Sequence, residues 1–202
     1  MKKLMILLCA LLASCTNVEV GDYRNEEPRL DLREYFAGRV DAWGMFQKRS
    51  GEVVKRFHVR IDGSLEGDRL ILDEHFSYSD GTTQRRVWTL RPDGPNRWRG
   101  TAGDVVGEAV GEVAGNALRW RYVLELPVDG SVYRVNFDDW MYLIDAKTMA
   151  NRSFMTKFGV ELGQDVPVLR RPEGHPLALT LHDHPGGYRL HAARRQPWHD
   201  LL

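Results

Sequence analysis

The chain has 202 residues and is formally neutral, with 28 lysines and arginines balanced by 28 acidic side chains. Because charges of both signs are interspersed along the chain, its composition argues against a nucleic-acid-binding protein. The two cysteines, Cys9 and Cys15, lie near the N-terminus, so we expect no disulfide framework and no thiol nucleophile in the folded part. The length predicts one domain with a sizeable core.

The first residues have the organisation of a bacterial export signal. Lys2 and Lys3 precede the apolar run 4–12, which is too short to cross a bilayer as a helix. The run ends in Leu12-Ala13-Ser14-Cys15, which resembles the lipobox of bacterial lipoproteins, where the cysteine is lipidated and the peptide is cut before it. We therefore expect a signal peptide over 1–14 and a membrane anchor through lipid on Cys15. The alternative is an ordinary secretory signal with a chance cysteine.

The residues after Cys15 predict where the protein is held. Thr16 stands where an aspartate often retains lipoproteins in the inner membrane of Gram-negative cells, so we expect the outer membrane, with the protein facing the periplasm. Residues 15–29 are polar and acidic without a hydrophobic period, which predicts a tether. Apolar residues between Leu30 and Phe36 then predict a short helical turn.

Residues 30–170 are predicted to form an all-β domain. Turn signals such as Asp62-Gly63 and Asp129-Gly130 separate short runs in which apolar and polar residues alternate. The predicted strands are 38–46, 53–61, 69–78, 84–91, 97–101, 105–113, 117–126, 132–143, 152–158 and 161–169. About nine to ten sequential strands without a βαβ unit favour an antiparallel up-and-down barrel, with a sandwich as the alternative. Gly100, Gly103, Gly107, Gly111 and Gly115 lie where strands are predicted, and we interpret them as barrel corners or bulges in a strongly curved hairpin.

Residues 171–202 are predicted to be a loosely ordered tail, because prolines interrupt them and no hydrophobic period is sustained. The tail contains His182-Asp183-His184, a set of side chains that can bind zinc, nickel or copper. A specific metal site needs ligands held by a rigid scaffold, which a proline-interrupted tail does not offer. We therefore expect no metal site and no cofactor.

Several ordered blocks of the predicted barrel match a known family. They are Asp73-Glu74-His75-Phe76, Arg86-Val87-Trp88, Asp104-Val105-Val106-Gly107, Ala114-Gly115-Asn116-Ala117, Asp138-Asp139-Trp140-Met141-Tyr142-Leu143 and Lys157-Phe158-Gly159. Together, over 32–170, they resemble the DUF3833 family of bacterial lipoproteins of unknown function. The resemblance implies a calycin- or lipocalin-like barrel. It also implies a connection with lipids, because genes of the family tend to lie near genes for cyclopropane fatty acid synthase-type and other lipid-modifying enzymes.

Carboxylates within the predicted strands are candidates for a polar site. Glu74 alternates with Leu72 and Phe76, so it is predicted on an otherwise apolar face, where a carboxylate must be paired or perturbed. Asp138 and Asp139 are adjacent, so a regular strand points only one of them inward. The apolar residues change phase beside this pair, which predicts a bulge near Asp138.

The candidate ligand-binding residues combine acids, one arginine and aromatic side chains that can line an apolar cavity. They are Glu74, Arg86, Trp88, Trp120, Asp139, Trp140 and Tyr142. With His75, the acids could also act in acid and base catalysis, or they could form a buried ion pair that fixes strand register. Because the spacing shows no triad and no nucleophile, we predict no catalytic residues and a protein that is not an enzyme.

The sequence thus predicts a membrane-anchored envelope lipoprotein whose barrel binds or carries an apolar ligand such as a fatty acyl chain or lipid. One alternative is a non-enzymatic structural or interaction protein with a filled barrel core. A more distant alternative is an enzyme that acts on modified membrane lipids. The expected partners are a membrane, through Cys15, and a fatty acid or lipid ligand, with no nucleic acid. The oligomeric state is open.

Overall fold

The computed structural model describes residues 18–128 and 131–173. The predicted signal peptide, Cys15 and the histidine-rich tail lie outside the described residues. Within those ranges, no helix is long and apolar enough to cross a membrane. A turn of 3-10 helix, Val20–Tyr23, and one short helix, α1 (Leu32–Phe36), precede the strands.

The described residues form a closed barrel of antiparallel strands. The strands are β1 (Gly38–Lys48), β2 (Val53–Glu66), β3 (Arg69–Tyr78), β4 (Thr83–Pro92), β5 (Arg97–Thr101), β6 (Ala109–Ala114), β7 (Ala117–Val128), β8 (Ser131–Leu143), β9 (Thr148–Lys157), β10 (Val160–Asp165) and β11 (Val168–Arg170). β1 pairs with β2 on one side and with β10 and β11 on the other, which closes the sheet. Because β10 and β11 both lie between β1 and β9, they share one position in a barrel of ten. The predicted barrel is confirmed, and the sandwich alternative is wrong.

Two strand predictions differ from the structure where it matters for the site. β6 begins at Ala109 rather than at 105, because the preceding residues form a loop that touches β7 only through a bridge between Val105 and Leu124. The predicted run 161–169 is divided after Asp165, next to Pro167, which has no N–H to donate to a ladder. The short helix predicted before β1 is present as α1.

Alternation along the strands places one set of large side chains inside the barrel, and Trp120 on β7 is one of them. Gly100 on β5 and Gly111 on β6 face this ring. A β-carbon on either glycine would lie 2.5 or 2.4 Å from the indole, closer than carbon atoms can pack. The strand register runs through both glycines without a shift, so instead of forming the predicted bulges they make room for Trp120.

Helix α1 closes one end of the barrel. Asp31 caps the helix by accepting hydrogen bonds from the backbone N–H groups of Arg33 and Glu34 at 2.8 and 3.1 Å. The hydroxyl of Tyr35 donates to the carbonyl of Leu169 at 3.2 Å. The buried guanidinium of Arg171 donates to the carbonyl of Tyr35 at 2.9 Å. Arg171, placed by prediction at the start of the tail, thus belongs to the folded body.

Part of the predicted tether over 15–29 packs on the barrel. Val20 is buried against Trp140 on the outer face of β8, and the ring of Tyr23 lies 5.2 Å from that of Tyr142. Glu19 is 3.5 Å from the guanidinium of Arg119. The residues from 19 to 23 therefore pack on the barrel, because they cover apolar side chains that would otherwise face water.

Candidate functional site

A cavity of about 990 Å³ occupies the barrel interior. Leu32 and Phe36 of α1 form its closed end, and hairpin residues such as Lys48, Thr82 and Leu162 border the opposite end. Between the two ends the lining is mainly aromatic and aliphatic, as in sites for apolar small molecules. Its aromatic members are Phe46, Phe57, Phe76, Tyr78, Trp88, Trp120, Tyr122 and Phe137. The predicted alternative of a filled core is therefore wrong.

The aromatic side chains of this lining pack on one another rather than closing the cavity. The ring of Trp88 meets that of Trp120 edge to face at 5.7 Å and that of Tyr122 at 5.3 Å. Tyr122 in turn stacks on Phe137 with the ring centroids 5.0 Å apart. Such pairs stabilise the rings in defined orientations. The predicted site residues Trp88 and Trp120 thus form part of the cavity wall.

The first polar cluster in the cavity is an ion pair with a second acid beside it. Glu74 on β3 lies directly opposite Arg86 on β4 in the strand register. The guanidinium of Arg86 donates to the carboxylate of Asp104 at 2.8 to 3.0 Å, and its Nη1 atom is 3.8 Å from Glu74. The side chains of Arg86 and Glu74 are only 12% and 14% exposed. Two predicted site residues, Glu74 and Arg86, thus meet. They are joined by Asp104 from the β5–β6 loop, which was not predicted.

Burial and charge oppose each other in this first cluster. Burial raises the pKa of Glu74 to about 7, although the Arg86 charge acts to lower it. Burial also disfavours the charge of Arg86, but its hydrogen bonds with Asp104 and the negative charge of Glu74 outweigh this, so its pKa is raised. Arg86 therefore remains a cation, and Glu74 exchanges a proton near neutral pH.

The second polar cluster is a row of three side chains across β8, β9 and β10. The register places Asp139 opposite Ser153, and Ser153 opposite Asp165. Ser153 donates a hydrogen bond to Asp139, which is 6% exposed. The Oδ1 atom of Asp165 is buried and has no hydrogen-bond partner. Both carboxyls line the cavity.

Neither carboxyl of the second cluster has a cation in direct contact among the described residues. Burial raises the pKa of Asp139 to about 7. Burial, and then the negative charge of Asp139, raises the pKa of Asp165 to about 8. Close to neutral pH, the two acids therefore carry fewer negative charges than their number suggests, and either can donate or accept a proton.

The structure decides which aspartate of the adjacent pair faces inward. The register of β8 with both neighbours runs through Asp138 and Asp139 without a shift, so the predicted bulge is wrong. Asp139 faces the cavity, while Asp138 faces outward and accepts two hydrogen bonds from Arg119 at 2.8 Å. His75 also faces outward, 3.2 Å from Asp73, and does not join the interior acids.

Trp140 and Tyr142 were predicted in the ligand site, and this prediction is wrong. Regular alternation past Asp139 puts both rings on the outer face of β8. There they stack with ring centroids 6.2 Å apart and are covered by Val20 and Tyr23. Apolar side chains are accommodated on this outer face because the N-terminal turn covers them. No strand pattern reveals that contact.

The sequence reasoning missed Asp104, Ser153 and Asp165. Asp104 stands in the β5–β6 loop, just before the predicted strand 105–113, although it belongs to a block that carries the family resemblance. Asp165 ends the divided run next to Pro167, where alternation is weak. In the described ranges, no group of three or more histidine, cysteine or acidic side chains is arranged to hold a metal ion.

A closed ten-strand antiparallel barrel with an interior cavity defines a calycin-like protein. The chain belongs to the DUF3833 family, described as proteins of unknown function, whose family model matches residues 9–171. This confirms the resemblance inferred from the sequence blocks. No curated protein sequence matches the chain.

A solved structure with a similar fold is the S-type phycobiliprotein lyase CPES from Guillardia theta. It aligns with a TM-score of 0.54 and 9% sequence identity, over 71% of this chain and 92% of that chain. Identity this low shows a shared fold alone. The comparison contradicts the prediction that the protein is not an enzyme, because a protein named as a lyase has this architecture. The fold therefore gives no ground for classifying the chain as non-enzymatic.

Proposed function

We propose that the protein binds or carries an apolar ligand, such as a fatty acyl chain or another lipid, inside its barrel. The observation that supports this most is the cavity of about 990 Å³, closed by α1 at one end and lined mainly by aromatic and aliphatic side chains. Each ligand methylene buried there gains about 0.8 kcal/mol. About eight of them would gain roughly 6 kcal/mol before the cost of association is subtracted.

The open end of the barrel supports exchange of such a ligand with a lipid phase. Exposed apolar side chains belong to the hairpins at this end, and Phe158 at the β9–β10 turn is 92% exposed. The others are Val53, Val54, Val132, Tyr133, Val160 and Leu162. A rim of this kind lets an apolar molecule enter without crossing a fully hydrated surface.

Membrane attachment is the second part of the proposal. The lipobox-like Leu12-Ala13-Ser14-Cys15 and the residue that follows it support a lipid anchor on Cys15, cell-envelope localisation, and the outer membrane with the barrel facing the periplasm. Mass spectrometry of the N-terminal peptide from membranes tests this, since the expected mass is that of a chain beginning at an acylated Cys15. Cys15→Ser should release the protein from the membrane fraction. Recovery of an unmodified N-terminal cysteine would overturn the anchor.

Ligand binding can be tested with a neutral fluorescent probe, N-phenyl-1-naphthylamine, and the mature chain carrying Cys15→Ser so that no attached lipid competes. Met155 lines the cavity and Met45 lies on the outer face of β1, so the same substitution distinguishes inside from outside. Met155→Trp should weaken probe binding at least about tenfold, while Met45→Trp should leave it unchanged. Circular dichroism checks that both variants fold. Failure of the unsubstituted chain to bind the probe would refute the proposal.

Catalysis in the same cavity is a second candidate, favoured by buried acids that titrate near neutral pH. Glu74 and Asp139 both line the cavity, and burial raises the pKa of each to about 7, as acid and base catalysis requires. Incubation with an envelope lipid extract, followed by mass spectrometry, should then reveal a product that Glu74→Gln or Asp139→Asn abolishes. An unchanged lipid profile would exclude this candidate for the lipids in that extract.

A further inference from the structure

The charges that line the cavity do not balance. Three carboxyls reach it, from Glu74, Asp139 and Asp165, and Arg86 is the one guanidinium among its described lining residues. The guanidinium is already matched by Asp104, which accepts from both Nε and Nη2. The two lysines of the lining stand at the mouth and contact other acids, Lys48 with Glu52 and Lys55 with Asp80, each at 2.8 Å. The interior therefore has more acids than cations.

In the second polar cluster, hydrogen-bond acceptors likewise outnumber hydrogen-bond donors. Asp139 has two hydroxyl donors, Ser153 and Tyr122, but Ser153 has a single proton and two carboxyl neighbours, so it can donate to only one of them at a time. It donates to Asp139, which leaves the Oδ1 atom of Asp165 buried without a donor. Asn151, two residues away on the same inner face of β9, also has a buried side-chain oxygen without a partner. A buried acceptor without a hydrogen bond destabilises the folded state, and a donor group on a bound ligand would remove this cost.

We propose, on the basis of the proposed function, that the ligand carries a protonated amine or a comparable N–H donor that binds at Asp139 and Asp165, with its apolar body along the aromatic wall. An amine supplies the two things that the second polar cluster lacks, a positive charge and further hydrogen-bond donors. A carboxylate or phosphate group would instead lie among three acids and compete with Asp104 for Arg86. The raised pKa values of Asp139 and Asp165, about 7 and 8, agree with carboxyls that have no resident cation.

Three probes with the same twelve-carbon chain separate the head-group classes: dodecylamine, dodecanol and dodecanoate. Each is titrated below its aggregation limit against bound N-phenyl-1-naphthylamine, using the mature chain with Cys15→Ser. Dodecylamine should displace the fluorophore at a concentration about tenfold lower than dodecanoate, with dodecanol between them. Raising the pH from about 6 to about 9 should widen this difference, because the acids ionise while the amine remains charged.

Variants assign the preference to the second cluster. Asp165→Asn keeps the shape of the side chain and removes its charge, so the amine should lose about fivefold in affinity while dodecanol is unchanged. Asp138→Asn is the matched control, because Asp138 faces outward and pairs with Arg119; it should change none of the three affinities.

The outcomes distinguish this proposal from the proposed function. If all three probes bind equally, or dodecanoate binds best, and Met155→Trp blocks them, the cavity binds apolar ligands and the amine proposal is wrong. If Asp165→Asn leaves the amine preference intact, the assignment to Asp165 is wrong. If neither the probes nor the fluorophore bind, the proposed function itself fails.

Discussion

Two polar clusters face the same cavity, and they differ in how their charge is matched. Around Arg86, a guanidinium holds Asp104 through paired hydrogen bonds and lies across from Glu74. Around Ser153, two carboxyls lie on either side of one hydroxyl without a cation in direct contact. A buried ion pair that is internally matched serves the barrel itself, whereas an unmatched pair of acids is open to a partner. The first cluster therefore contains its own cation, whereas the second, on our proposal, receives one from the ligand.

The largest expected effect comes from breaking the matched cluster. Arg86→Met removes the cation and leaves Asp104 and Glu74 as uncompensated acids beside the cavity. The free energy of unfolding should fall by about 3–5 kcal/mol, measured by urea denaturation at neutral pH. Arg85→Met is the control, because Arg85 is the next residue but is largely exposed and pairs with Asp73 outside the barrel; its effect should be small. Equal effects of the two substitutions would show that burial of Arg86 does not increase its contribution to the free energy of unfolding.

A smaller effect should come from neutralising the unmatched cluster, and its sign depends on pH. Asp165 titrates near 3.8 in the unfolded chain and near 8 in the folded one, so the folded state holds the proton more tightly between these values. Stability conferred by this group is fully present below about pH 4 and is lost as pH rises through about 8. Asp165→Asn should reduce the loss between about pH 6 and 7.5 by on the order of 2 kcal/mol.

Denaturation series at several pH values measure this difference, with Asp138→Asn as the control. Because Asp138 faces outward against Arg119, that substitution should leave the pH profile as it is. A profile of Asp165→Asn that coincides with that of the unsubstituted chain would mean that Asp165 is not perturbed by burial.

The smallest effect is expected from the hydroxyl between the two acids. Ser153→Ala removes the donor to Asp139 and should lower the free energy of unfolding by about 1 kcal/mol. Because the hydroxyl acts to lower the pKa values of both Asp139 and Asp165, its loss should also move the pH-dependent decrease in stability to higher pH. Ser77→Ala on the exposed face of β3 is the control and should change neither quantity. An unshifted profile for Ser153→Ala would indicate that the two acids titrate independently of Ser153.

Much of the barrel and the inward direction of Glu74 could be predicted from alternation and turn signals, whereas Arg86 and Asp139 were candidates whose directions the pattern left open. Residues such as Leu72, Glu74 and Phe76 share a face because side chains alternate along a strand, so Glu74 could be placed inside before the structure was known. Asp165 could not, because the strand that carries it is divided near Pro167 and the pattern there is too short to read.

The sequence by itself determined the antiparallel strands, the family, the inward direction of Glu74, and the prediction of a lipid anchor on Cys15, because each of these depends on local pattern. Only the tertiary structure decided that Asp139 faces inward and Trp140 outward. Both faces of β8 carry apolar residues, one against the cavity and one under Tyr23, so alternation alone cannot tell inside from outside. Barrel closure also brought Asp165 beside Asp139, since pairing across β9 joins residues that no local pattern connects.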